Sequence, residues 1–100
     1  MNVYEALAEP NRRQIIDLVG RGERTAGDIV DALSISQPGV SKHLRILREA
    51  GLVSVRKDAQ RRLYRLEPEK LAEIDAWLAP YRKFWSSKLD ALVDHLMKEN

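Results

Sequence analysis

The side chains with the widest chemical reach lie between residues 36 and 66. Ser41, Lys42 and Arg45 stand at helical spacing near Gln37 and His43, and Arg56, Lys57, Arg61 and Arg62 follow. Residues 36–66 hold eight basic and two acidic side chains, against four and six in residues 1–35 and five and seven in residues 67–100. The formal net charge of +2 hides this block. A positive field confined to one stretch, with acidic flanks, is what binding a polyanion requires. Lys and Arg would neutralise phosphates, while Ser and Gln would hydrogen-bond base edges. The competing reading is a solvated basic face with no partner.

Other chemistries find little support. There is no cysteine, which removes disulfides and thiolate metal sites and agrees with a reducing compartment. His43 and His95 are the two histidines, and Asp94, His95 and Glu99 are too sparse a set to predict a metal site. No nucleophile stands with a base and an orienting acid, and there is no phosphate-cradling glycine loop, so no enzyme is expected. Trp77, Tyr81, Phe84 and Trp85 could line a small-molecule pocket, but aromatic residues at helical spacing are more often packing residues, and no cofactor is expected. No secretion signal or membrane span is evident, so a cytoplasmic protein is expected.

The elements that must position the cations follow from periodicity and punctuation. A chain of 100 residues, 44% hydrophobic and 32% charged, fits one globular domain over 1–100. Val3, Leu7 and Ala8 predict a short first helix. Pro10 opens a second through Ile15, Ile16 and Val19, closed by Gly20 and Gly22. Thr25 with Asp28 resembles a capping box for a third helix carrying Ile29, Ala32 and Leu33. After the tight connection Ser34–Ser36, Pro38 lies in the first turn of a fourth helix ending near Ala50 and Gly51. There Val40, Leu44 and Leu47 form one stripe, and Ser41, Lys42, Arg45 and Glu49 project from the other side.

From Leu52 the period changes to two, which predicts a β-hairpin to Leu66 whose charged tip carries Arg56, Lys57, Arg61 and Arg62. Pro68 starts a last helix, which Pro80 should restart or kink. Its stripe continues through Trp77, Tyr81, Phe84, Trp85, Leu89, Leu92 and Leu96. An arm of about 30 residues, roughly 45 Å at helical rise, carries more apolar surface than a small core can cover. The surplus predicts pairing with a second copy.

Helix, short turn, helix and basic hairpin make a winged helix-turn-helix: mainly α with a small β-hairpin, the helix-turn-helix at about 25–50, the wing at about 52–66 and the C-terminal arm at about 68–98. Double-stranded DNA is the expected partner, read by the fourth helix in the major groove, with the wing on phosphates. Winged folds also serve as protein-interaction modules, but such a module has no need of the basic block.

Three motifs in register carry a resemblance. Ala8-Glu9-Pro10-Asn11-Arg12-Arg13, Ser36-Gln37-Pro38-Gly39-Val40-Ser41-Lys42-His43-Leu44 and Leu47-Arg48-Glu49-Ala50-Gly51-Leu52-Val53 look like the ArsR/SmtB repressors. Leu78-Ala79-Pro80-Tyr81-Arg82-Lys83-Phe84-Trp85 followed by Leu89-Asp90-Ala91-Leu92 is similar to the SdpR-like autorepressor branch, which lacks the arsenic and zinc sites.

What the resemblance implies is a homodimeric repressor, built from its first and last helices, that presents two reading helices to an inverted repeat. It implies that Gln37, Ser41 and Lys42 contact bases and nearby phosphates. Ser36, Gly39, His43 and Arg45 complete the expected recognition set. Val3, Leu7, Trp77, Tyr81, Phe84, Trp85, Leu89, Leu92 and Leu96 are the expected dimer contacts. A metal- or small-molecule-responsive repressor is the variant reading within the family.

Overall fold

The structure, a computed structural model, describes residues 1–98. Five helices and one hairpin follow in the order α1 (Val3–Leu7), α2 (Pro10–Val19), α3 (Ala26–Ala32), α4 (Gln37–Glu49), β1 (Val53–Asp58), β2 (Arg61–Leu66) and α5 (Pro68–Lys98). Each of the first four helices opens on a side chain that satisfies an orphan backbone N–H. Asn2 accepts from Glu5 N at 2.8 Å and Glu9 from Arg12 N at 3.0 Å. Thr25 and Asp28 bond reciprocally at 3.0 Å, the capping box expected there.

Ser36 Oγ accepts from Gly39 N at 3.2 Å and starts α4. That cap is tight, because a Cβ on Gly39 would come within 3.0 Å of Ile35 Cγ2 and 3.1 Å of Ser36 Oγ. At the far end Gly51 takes a φ of +79°, which turns the chain out of α4 toward the hairpin.

The core forms where α2, α3 and α4 converge. Ile15, Ile29, Val40, Leu47 and Leu52 are fully buried, Val19, Leu44 and Val53 nearly so, and Val3 and Ala6 of α1 join the same cluster. Burying a Leu or Ile side chain contributes about 2 kcal/mol, so this cluster is what fixes the orientation of α4.

β1 and β2 pair antiparallel from Val53 with Leu66 to Asp58 with Arg61, joined by Ala59 and Gln60 alone. The turn is therefore two residues long, and Arg56, Lys57, Arg61 and Arg62, expected at the tip, lie within the strands. Ala59 takes a positive φ of 58° to make that turn. Tyr64 also exchanges backbone hydrogen bonds with Arg24, at 2.7 and 3.0 Å, which ties the wing to the segment before α3.

α5 is one helix through Pro80, so of the restart or kink expected there the restart does not occur. The carbonyl that proline deprives of its donor belongs to Ala76, an exposed residue, so no buried polar group is orphaned. None of α5 is buried. Its N-terminal half touches the body through Leu71 and Ile74, and it packs against α1. The rest projects. The radius of gyration is 18.1 Å and the long axis 61 Å, whereas a compact chain of this length has a radius near 13 Å.

Candidate nucleic-acid interface

The face of α4 opposite the Val40, Leu44 and Leu47 stripe carries Ser41, Lys42, Arg45 and Glu49, all exposed. Among the described residues Lys42 and Arg45 form no ion pair or side-chain hydrogen bond, and both side chains are exposed. Gln37 is exposed in the first turn beside the Ser36 cap, and Gly39 is half-buried against that cap. Arg48 continues the row one turn beyond Arg45; it is likewise exposed and, among the described residues, forms no ion pair. Sequence reasoning passed over it, although its spacing from Arg45 is the spacing of Arg45 from Lys42.

His43 is placed differently from the other expected recognition residues. Its side chain is only 15% exposed and turns toward α2, with Nδ1 3.4 Å from an Arg12 nitrogen and Nε2 3.9 Å from Glu9 Oε2. The cause is its position at the edge of the buried stripe, immediately before Leu44.

The four wing cations divide into two kinds. Arg56 Nε donates to Glu23 Oε2 at 2.8 Å, and Arg61 donates to Asp58 Oδ2 at 3.0 Å. Lys57 and Arg62 form no ion pair among the described residues. They are cross-strand partners and so lie on the same face of the hairpin. At the base of the wing, Ser54 and Arg65 both bond Glu67; the Ser54 hydroxyl and then the Arg65 guanidinium hold that carboxyl below its ordinary pKa.

The arm presents the other large feature. Trp77, Tyr81, Phe84, Trp85, Leu89, Leu92 and Leu96 are each more than half exposed. Tyr4 of α1 meets Trp77 edge-on at 6.0 Å, and Trp77 meets Tyr81 at 5.4 Å, which joins α1 and α5 into one apolar face. Tyr4 belongs to that face through Trp77, and Val93 and Met97 are further exposed apolar residues of the arm; the expected set omitted all three. Val3 lies off that face. It is 4% exposed and packed into its own core, because the short α1 turns Val3 and Ala6 inward and Tyr4 outward; Leu7 is half-buried on the same core.

Among the described residues no group of three or more His, Asp or Glu side chains is placed to hold a metal ion. Asp94 and His95 stand near the end of α5, and Glu99 lies outside the described residues. No helix among them is long and apolar enough to cross a membrane.

Comparison with known proteins agrees with this geometry. The family described as "Bacterial regulatory protein, arsR family" matches residues 9–55, from the α2 cap into β1. The chain is similar to the transcriptional repressor SdpR of Bacillus subtilis, 39% identical over 77 residues that make up 77% of this chain and 86% of that one. An ArsR-like transcriptional regulator from Rhodococcus sp. RHA1 superposes with a TM-score of 0.73 at 28% identity, covering 90% of this chain and 85% of that one. A homodimeric winged helix-turn-helix DNA-binding domain from Mycobacterium bovis superposes at 0.66 and 33% identity, covering 81% and 75%.

Proposed function

As the chain belongs to the ArsR family of bacterial regulatory proteins, we propose that it is a transcriptional repressor that reads duplex DNA as a homodimer. The family is one of regulators rather than enzymes, and no catalytic step is assigned. In each copy α4 enters the major groove of one half-site. Gln37, Ser41, Lys42 and Arg45 reach base edges and adjoining phosphates, and Ser36 and Gly39 shape the turn that brings the backbone close. Arg48 extends the phosphate contacts. In the wing, Lys57 and Arg62 take phosphates first, with Arg56 and Arg61 free to exchange their carboxylates for phosphate.

The apolar face of α1 and α5 is covered by the same face of a second copy. Two-fold pairing then requires an operator that is an inverted repeat, with half-site centres about 34 Å apart or a multiple of that spacing. Repression follows by occlusion of polymerase at that site, and the SdpR-like arm makes the protein's own promoter the first candidate. Such a protein works in the cytoplasm, where the bacterial chromosome is. No effector is assigned.

The observation that carries this reading is the outer face of α4: exposed polar and cationic side chains whose cations have no ion-pair partner among the described residues, opposite a buried stripe and beside a cationic hairpin. Footprinting of the purified protein across the genome tests it. Enrichment of an inverted repeat is expected. Binding that tracks only salt and never sequence would overturn it.

A further inference from the structure

Arg12 is the buried charged residue among the described ones, 8% exposed, and its guanidinium meets no carboxylate. Instead Nε donates to Ala6 O at 2.5 Å and one terminal nitrogen to Glu5 O at 3.3 Å. The buried charge is thus neutralised by carbonyls at the C-terminal end of α1, which point their negative ends at it. The other terminal nitrogen lies 3.4 Å from His43 Nδ1 on α4.

A guanidinium offers donors only, so a hydrogen bond across this contact makes Nδ1 the acceptor. Nε2 faces Glu9 Oε2 at 3.9 Å, and that same oxygen accepts the backbone N–H of Arg12 at 3.0 Å. Glu9, Arg12 and His43 form a closed circuit joining the end of α1, the start of α2 and the middle of α4.

We propose that Arg12 and His43 are a positioning pair for DNA reading: through His43 Nδ1 as acceptor, Arg12 fixes the rotation of α4 against α1. This rests on the function proposed above. Its consequence is that α1, which carries Tyr4 onto Trp77 of the arm, sets the angle at which Ser41, Lys42 and Arg45 meet the groove. Loss of the acceptor leaves a buried donor unpaired, and the relief is a shift of α4. Lysine and arginine contacts to phosphate follow such a shift on their flexible stems. Hydrogen bonds to base edges do not. Selectivity therefore falls before general affinity.

The test uses the full chain with a selected operator duplex and an unrelated duplex, comparing His43→Phe, which fills the space without an acceptor, with His43→Gln, whose amide oxygen replaces Nδ1. Both keep Arg12, so neither removes the α1 clamp. His43→Phe is expected to weaken operator binding about tenfold while leaving the unrelated duplex unchanged, and His43→Gln to restore most of the loss. Nitrogen-15 spectra of the free protein should show an unprotonated Nδ1 at neutral pH. Operator affinity unaltered by His43→Phe, equal loss on both duplexes, or a proton on Nδ1 overturns the pair. A parent protein that selects no duplex overturns the DNA-reading function itself, a result distinct from an operator-selecting parent indifferent to His43.

Discussion

Lys57 and Arg62 stand directly opposite each other across the hairpin, two cations on one face with no carboxylate paired to either among the described residues. Like charges in that position destabilise a hairpin in isolation, and a shared anion removes the penalty. Their neighbours Arg56 and Arg61 each already hold a carboxylate. The two pairs should therefore behave differently. Lys57→Ala and Arg62→Ala are expected to weaken binding to all duplexes alike, each lowering the slope of log affinity against log salt by about one. Arg56→Ala and Arg61→Ala should lower it less. Salt titrations of the four variants on one duplex check the order.

Substitutions on the outer face of α4 should act on sequence choice. Lys42→Ala and Arg45→Ala are each expected to cost about 1–3 kcal/mol on the operator, with helicity and dimerisation unchanged. Circular dichroism, sedimentation and operator titration of the same samples separate these effects. Full operator affinity in either variant would remove that residue from the contact set.

The arm and the core predict opposite phenotypes for two apolar residues that look equivalent in sequence. Leu89→Asp lies on the exposed face and should leave the protomer folded but shift it to monomer in sedimentation at micromolar concentration. Val3→Ala lies in the core and should lower unfolding stability by about 1–2 kcal/mol. A Leu89→Asp protein that remains a dimer would contradict the role given to α5.

The capping box carries a pH signature. The backbone N–H of Thr25, and then its hydroxyl hydrogen bond, hold the Asp28 carboxyl below its ordinary value of 3.8. A depressed folded-state pKa means that ionised Asp28 stabilises the fold above the unfolded pKa, and that this contribution is lost as pH falls through the lower folded value. Asp28→Ser should therefore lie below the parent in stability near neutral pH and converge with it in strong acid. Denaturant unfolding from pH 7 down to about 2 measures the convergence. A constant gap across that range would show that the carboxylate's charge is not what matters.

At the wing turn, Ala59 holds a left-handed φ that glycine adopts at less cost. Ala59→Gly should stabilise the protein by about 0.5 kcal/mol, the relieved strain exceeding the added unfolded-state entropy. Thermal unfolding of the pair decides it.

Capping chemistry made the reading unit legible from sequence. Thr25 with Asp28, and Ser36 ahead of Pro38, mark two helix starts by local bonds, and Val40, Leu44 and Leu47 fix which face α4 buries. The wing strands were legible by alternation, but their turn was not, because Ala59 takes a backbone conformation that its residue type does not announce. The orientation of His43 depends on Arg12, 31 positions away, and edge residues of an apolar stripe go to whichever neighbour tertiary packing supplies. Val3 was expected on the dimer face and lies in the core for a similar reason, since a five-residue helix is too short for periodicity to choose a face. Pro80 signalled a restart that did not occur, because an exposed helix tolerates the lost bond.

The uncovered length of α5 also sets how the regulator responds to its own abundance. A single copy leaves that stripe in water, so two-headed readers form only by encounter. Below the concentration at which pairing saturates, their number rises with the square of the chain count. Halving synthesis then removes three quarters of them. A switch with no sensor for an outside signal would still turn sharply on dilution as the cell grows.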